Sequence, residues 1–412
     1  MKAMRIRKPT AGDLLAGISV ALLALPQGLA YSELAGMPVK YGLYAAALPS
    51  LLAALFASSP YLQTGPVALT ALLTFGALQG LADPETAKYI ELAALLALMV
   101  GVIRLALGIF QFGKIANCLT DAVVLGFTNG AAILIIFSQL PKTLGVQGIS
   151  GGVLSSGWNS LVNPNQWETG ALVFSIATIT VIFGGRLINR LFPGVLIAVV
   201  FGIIVSRMIG YTGSVVGDLE GGFITLKFDF DWNSIPELLL PSAIIAIVGF
   251  AEPASIARTF AKEDGTKWDS NKELVSQGVA NLAAAVSNAF PVGGSFGRSA
   301  LNKFAGATSP WAGAITGAFV LASLPFAPAL EQLPSAILGA TVIGAVIKLL
   351  KPLEFSRLLI ENFTQALIAI GTFVATLLTA PRIDRGIIIG LLLAFLDHLW
   401  RKRFKIKKKQ KI

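Results

Sequence analysis

The 412-residue chain is almost devoid of the side chains from which metal and nucleophile chemistry is usually built: it has one cysteine, Cys118, and one histidine, His398. A lone cysteine excludes an internal disulfide and a multi-cysteine metal site, and a lone histidine beside the C-terminal basic residues leaves no His-ligated metal and no His-based triad. His-Glu-x-x-His and paired aspartates within apolar runs are also missing, and the serines of the Gly-x-Ser-x-Gly strings at 148–152 and 293–297 have no histidine base but the distant His398, so an enzyme is not expected and no cofactor is called for. Charge is scarce as well. Only 13% of residues are Asp, Glu, Lys or Arg, where a soluble domain carries roughly a quarter.

What fills the chain instead is apolar, at 55% of residues with a mean hydropathy of +0.74. It falls in runs of about 18 or more uncharged residues, long enough to cross a bilayer as helices. The expected fold class is therefore an all-α polytopic membrane protein. Windows near 12–31, 41–58, 65–82, 88–110, 119–140, 168–185, 193–211, 236–257, 271–289, 294–304, 310–328, 333–350, 363–380 and 384–400 give fourteen spans. The third and tenth open with residues that delay helix formation, Thr64-Gly65-Pro66 and Pro291-Val292-Gly293-Gly294, and read as half-helices starting inside the membrane.

With the N-terminus inside, 23 of the 32 Lys and Arg fall on the cytoplasmic side. Seven fall outside (Lys40, Lys88, Lys142, Arg207, Lys227, Arg382 and Arg385), and Arg104 and Arg298 lie within spans. This excess predicts that both termini of a multi-pass protein are cytoplasmic; the membrane expected is a bacterial inner membrane. The acidic segment 212–235 then falls outside. The basic residues Lys2 to Lys8 before the first apolar run resemble a signal peptide, but no small-x-small cleavage site follows Leu25-Pro26-Gln27, and the run reads as a span. The net charge of +10 is thus an orientation signal, with the basic tail 401–412 at the lipid headgroups rather than on nucleic acid.

The irregular residues repeat. Pro26 and Pro253 stand 227 residues apart, as do Pro66 and Gly293, so each half places an apparent helix break 40 residues before a half-helix. Seven spans per half would invert the two halves across the membrane, the arrangement in which transporters place a site at the bilayer midplane. Two half-helix N-termini meeting there present free N–H groups and positive dipole ends, an anion site made largely of backbone. Gly65, Val67 and Ala68 on one side and Gly294, Ser295 and Phe296 on the other would form it, with hydroxyls from Thr64 and Ser295.

Glu252, before Pro253, and Arg298, one turn beyond the glycines, are ionisable residues within apolar segments, where burial costs several kcal/mol and points to function. A purely structural arrangement would have them neutralise each other, or Arg298 snorkel to the inner surface. A carboxylate beside an anion site favours protonation and anion binding together, a recipe for proton–anion symport with Glu252 as the coupling group. Gln27 and Tyr31 share a helical face and offer an amide and a phenol to an oxyanion, although Tyr31 also suits an interfacial aromatic. Asn129, Asn281 and Asn302 read as interhelical hydrogen-bonding residues, and Asp269-Ser270-Asn271 as a cap for the ninth span.

Several strings resemble the sulfate permease (SulP) family of anion transporters. In the first half they are Pro26-Gln27-Gly28-Leu29-Ala30-Tyr31, Tyr41-Gly42-Leu43-Tyr44 and Thr64-Gly65-Pro66-Val67-Ala68. In the second they are Glu252 to Phe260, Asn271-Lys272-Glu273-Leu274 with Gln277-Gly278 and Asn281, and Ser295-Phe296-Gly297-Arg298-Ser299-Ala300 with Asn302. The resemblance implies a fourteen-span, seven-plus-seven inverted repeat. Its core domain would come from about 12–110 and 236–328, and its gate from about 119–211 and 333–400, working by elevator-like motion. It also implies an anion site lined by Gln27, Tyr31, Thr64, Gly65, Gly294, Ser295, Phe296 and Arg298, with Glu252 at the position proton-coupled members use. Glutamate rather than aspartate there favours protons over sodium. Family members usually continue into a cytoplasmic STAS domain, which is not expected here, and a homodimer is left open. The expected function is secondary active transport of a small oxyanion, with proton-coupled sulfate symport first. Bicarbonate or a fumarate-like dicarboxylate transport, or a passive anion channel, are the alternatives.

Overall fold

In the computed structural model the described residues are 8–113, 120–148, 152–188 and 192–409. Expectations resting on Lys2, Arg5, Arg7, Lys114, Cys118, Arg190 and residues 410–412 lie outside them, as do the side chains of Arg186, His398 and 401–409. The helices are α1 (Ala11–Leu34), α2 (Lys40–Phe56), α3 (Ala68–Leu78), α4 (Ala87–Ile109), α5 (Asp121–Leu144), α6 (Val153–Val162), α7 (Thr169–Ile188) and α8 (Gly194–Ile209). They continue as α9 (Ile235–Glu263), α10 (Ser270–Val286), α11 (Phe296–Phe304), α12 (Trp311–Ser323), α13 (Ser335–Val346), α14 (Pro352–Glu361), α15 (Phe363–Leu378) and α16 (Ile383–Lys409). Each of the fourteen apolar windows overlaps one of these helices, and α6 and α14 are short helices between windows. Among the described residues, six segments are long and apolar enough to cross a membrane: Ala11–Leu34, Ala87–Ile109, Asp121–Leu144, Trp232–Glu263, Trp311–Leu330 and Ser335–Glu361.

Polar residues start the helices where the chain leaves solvent. Thr10 and Asp13 form a reciprocal capping box on α1, Thr86 and Thr120 cap α4 and α5, and Asp269 accepts from the N–H groups of Asn271 and Lys272 at the start of α10. Gly145 and Gly210, in left-handed conformation, end α5 and α8.

Two expected breaks are not breaks. Pro26 lies inside α1 and Pro253 inside α9, and both helices run on past them, α9 for 29 residues. Proline removes one N–H and crowds the carbonyl four residues back, which bends a helix without ending it when neighbouring helices hold both arms. The real interruptions are the extended stretches before α3 and α11. They pair as a two-stranded antiparallel ladder of β1 (Thr64–Gly65) and β2 (Gly293–Gly294), with Thr64 opposite Gly294 and Gly65 opposite Gly293.

The helices pack in two groups. α1 to α4 pack with α9 to α12, and α5, α7 and α8 with α13, α15 and α16. The packing follows an exchange of halves: α2 on α12 answers α10 on α4, α1 on α11 answers α9 on α3, and α5 on α15 answers α13 on α7. Small residues permit the closest crossings. A Cβ on Gly42 would lie 1.9 Å from the Gly28 carbonyl oxygen, so α1 and α2 touch backbone to backbone.

Opposite charges join distant segments at the surfaces. Lys40 pairs with Glu220 at 2.7 Å and Lys88 with Asp231, putting the acidic 212–235 segment beside two of the lysines assigned outside, and Lys142 on α5 pairs with Glu33 on α1 at 2.8 Å. The Lys40 hydrogen bond holds the Glu220 carboxyl below its usual range. Elsewhere Lys303 ties the end of α11 to Glu263 and Asp264 at the end of α9, and it lowers the Asp264 carboxyl in the same way.

Candidate functional site

The β1–β2 ladder brings two helix starts together. α3 begins just after β1 and α11 just after β2, so both N-termini leave one short ladder. The first turn of a helix has N–H groups with no intrahelical acceptor. Val67, at the start of α3, gives no side-chain cap, while Ser295 caps α11 by accepting from the Arg298 N–H at 3.4 Å. The Ser295 N–H donates to the Gln63 carbonyl at 3.0 Å, and the Ser299 hydroxyl accepts from the Gln63 N–H at 2.9 Å, locking the two starts in register.

Arg298 is 2% exposed and does not snorkel. Its Nη2 donates to the Pro66 carbonyl at 2.8 Å, so it reaches across from α11 to the start of α3, and its Nε is buried with no partner. Glu252 does not form an ion pair with it. The Glu252 carboxylate stands near the start of α11 at Phe296, within electrostatic reach of Arg298. Mutual neutralisation by direct contact is therefore not what these residues do. Tyr31 is buried, not interfacial, and feels both Arg298 and Glu252. Gln27, one turn before it, is 9% exposed, with its Oε1 buried and unpartnered.

The remaining expected residues take more particular places. Thr64 is buried in β1, its hydroxyl accepting from Gln277 Nε2 at 2.7 Å and its carbonyl from the Ser50 hydroxyl at 2.6 Å. Gly65 has φ +149°, and a Cβ there would stand 3.2 Å from Ser50 Oγ and 3.3 to 3.4 Å from both Arg298 terminal nitrogens. Val67 and Ala68 are 6% and 7% exposed. Gly294 faces Leu62 and Pro253, and the exposed Phe296 ring stacks on Phe260 at 6.2 Å. Tyr31, Gly65, Glu252, Phe296 and Arg298 thus surround one locality with Gln27 beside it, and Thr64 acts from behind.

Three buried residues of this locality were not among the expected site residues. Arg104 on α4 is fully buried and donates to three carbonyls: Ala246 at 3.0 Å, Ile245 at 2.9 Å and Val292 at 2.9 Å. Asn281 clasps Val292 from the other side, its Oδ1 accepting from the N–H at 3.0 Å and its Nδ2 donating to the carbonyl at 3.1 Å. Glu273, in the first turn of α10, accepts from the Ser58 and Ser59 N–H groups and from Trp268 Nε1. The partners of Arg104 are backbone carbonyls far away in the chain, and only the rarity of a buried arginine could have marked it. Asn129, Asn281 and Asn302 are hydrogen-bonding residues within the packing, as expected: Asn302 donates to the Tyr61 carbonyl and Asn129 accepts from the Lys351 N–H.

What this arrangement suits is an anion held in a membrane-spanning helical body, and solved structures of such proteins share the fold. The chain superposes on murine Solute Carrier 26 family member A9, an anion transporter captured in the inward-facing state, with a TM-score of 0.86 and 22% identity over 97% of this chain and 70% of that one. It superposes on the transmembrane domain of a cyanobacterium bicarbonate transporter, BicA, at 0.79 and 24% identity over 90% of this chain and 96% of that one. The class is therefore a multi-pass, mostly helical membrane transporter fold.

The chain belongs to the sulfate permease family, whose profile matches residues 11–372. It is 33% identical to the chloroplastic Sulfate transporter 4.1 of Arabidopsis thaliana over 94% of its own length and 58% of the relative's. It is 32% identical to a probable sulfate transporter of Mycobacterium tuberculosis over 93% and 68%. The chain spans between about half and two thirds of the length of the plant relatives Sulfate transporter 4.1 and probable sulfate transporter 4.2.

Proposed function

We propose that the chain is a secondary active transporter that carries a small oxyanion, sulfate foremost, together with a proton. The observation that carries this reading is the β1–β2 ladder, which aims the starts of α3 and α11 at one locality with Arg298 buried between them. Free N–H groups, two positive helix ends and a guanidinium with an unpartnered nitrogen form a donor field suited to an oxyanion. Glu252 is the coupling residue. As a carboxylate near the start of α11 it repels the anion, and protonation removes the repulsion, so proton and anion bind with mutual gain. The sulfate transporter names of the relatives support sulfate, and the fold shared with a bicarbonate transporter keeps bicarbonate as the second reading.

The packing supports alternating access by an inverted repeat. The exchange of contacts between halves fits seven-plus-seven spans, with α6 and α14 as extras outside the repeat. The group α1 to α4 with α9 to α12 is the moving core that carries the site, and the other group is the gate. Both termini face the cytoplasm, at the inner membrane of a bacterium. Purified protein in liposomes should take up labelled sulfate saturably, with competition by selenate stronger than by bicarbonate or fumarate. Uptake that does not saturate and follows voltage alone would replace the carrier with a channel.

A further inference from the structure

Proton coupling at Glu252 gives no task to Glu273, the fully buried acid in the first turn of α10. Glu273, Gln277 and Asn281 stand four residues apart and share one face of α10, and all three are fully buried. Each grips a different part of the interrupted backbone: Glu273 the turn at Ser58 and Ser59, Gln277 the Thr64 hydroxyl of β1, and Asn281 Val292 just before β2. The Glu273 carboxyl is held on one side only. The Ser58 N–H, the Ser59 N–H and Trp268 Nε1 all donate to its Oε2, at 3.2, 2.9 and 3.1 Å, while Oε1 is buried with no partner among the described residues. One turn along the same face, Gln277 Oε1 is buried with no partner as well. The three donors to Glu273 are neutral. Asp269 and Lys272 flank it at the start of α10, Lys267 lies in the loop before, and Arg258 of α9 stands over the Trp268 ring. Arg104 of α4 meets the far end of the stripe at the Val292 carbonyl, and Arg298 and Glu252 belong to the ladder.

A buried carboxylate with one bare oxygen is costly, and two bare acceptor oxygens cannot bond to each other. A proton on Glu273 Oε1 removes both costs: the acid is neutral, its O–H donates to Gln277 Oε1, and Oε2 remains the acceptor of the three N–H groups. We infer that Glu273 is a proton-bearing positioning residue: its protonated carboxyl bonds Gln277, whose amide then holds Thr64 at the anion site, and loss of that proton loosens the site. The proton has a way out. A cavity of about 10 Å³, room for about one water, touches Ser58, Ser59 and Trp268 together with the exposed Thr266 and Lys267. On release the Oε1–H bond breaks, the proton passes to water, and the carboxylate stays on its three N–H donors. The effect on transport rests on the oxyanion reading of the ladder, whereas the protonation of Glu273 does not.

Infrared spectroscopy of the purified protein in lipid reads the protonation, with Glu252→Gln as the background so that the acid of the ladder does not contribute. At about pH 6 an ordinary glutamate, with a pKa of about 4.3, is almost fully ionised. A protonated-carboxyl absorption that Glu252→Gln shows and that disappears when Glu273→Gln is added belongs to Glu273. Identical spectra overturn the inference. In Gln277→Leu on the same background the O–H loses its acceptor, and the absorption should move to higher frequency; an absorption that stays in place overturns the link to Gln277, and this arm decides should Glu273→Gln not fold. Sulfate exchange in liposomes, with both sides at one pH, reads the consequence. In Glu252→Gln the half-saturation constant should rise at least about fivefold from about pH 6 to about pH 9, because the proton that steadies Thr64 is lost as pH rises. Glu273→Gln, whose amide still donates to Gln277, should remove that slope. Equal slopes in the two proteins overturn the positioning role. Absence of sulfate exchange at every pH would overturn the oxyanion reading instead, with the infrared comparison still deciding the protonation.

Discussion

Gly65 shows what the site demands of a single residue. At φ +149° it sits where L side chains are strained, and a methyl group would press within 3.4 Å of Ser50 Oγ and both Arg298 terminal nitrogens. Gly65→Ala should cost about 1–3 kcal/mol of strain and displace Arg298 from the Pro66 carbonyl. Its expected signature is a rise in the sulfate half-saturation constant of at least tenfold while the protein still elutes as a folded species. A variant with unaltered affinity would detach Gly65 from the site. Arg298, Glu252 and Gly65 were legible in the sequence because charges and glycines are conspicuous in apolar runs. Arg104 stood in the same kind of run but gained meaning only from the carbonyls of Ile245, Ala246 and Val292, which no local pattern places beside it.

At the scale of elements, apolar length identified the helices, and the pairs Gly65-Pro66 and Gly293-Gly294 identified the extended starts of α3 and α11. The prolines misled because a breaker in isolation is only a kink in a supported helix: α1 and α9 continue past Pro26 and Pro253. The short helices α6 and α14 fell between the apolar windows, where a search for membrane-length runs does not look. Pro26 and Pro253 each leave one carbonyl, that of Leu22 and of Gly249, without its helical donor. The Gly249 carbonyl lies beside Gly293 of the ladder, so any bend that Pro253 gives α9 acts on the position of β2. Pro253→Ala restores the bond and should raise the thermal midpoint by a few degrees while lowering transport at least fivefold. A variant that is both more stable and fully active would show that the bend has no part in the cycle.

Across the whole molecule, the account requires the two helix groups to move past each other. The Lys142–Glu33 pair joins α5 of one group to α1 of the other, whereas Lys303–Glu263 joins α11 and α9 within one group. With Cys118 replaced, a cysteine pair at 33 and 142 closed by a short bifunctional reagent should abolish uptake, while a pair at 263 and 303 closed in the same way should leave it above half. Equal tolerance of both crosslinks would mean that the groups do not move relative to each other.

The central claim is that the cargo crosses with a proton held on Glu252, and the most direct measurement is labelled sulfate uptake into proteoliposomes with an imposed inward proton gradient, for wild type and Glu252→Gln. The account predicts that the gradient accelerates wild-type uptake at least tenfold and drives sulfate above its equilibrium level, and that Glu252→Gln, permanently neutral, exchanges sulfate across the membrane without responding to the gradient. Wild-type uptake indifferent to the gradient, or a Glu252→Gln protein as gradient-driven as wild type, would contradict it.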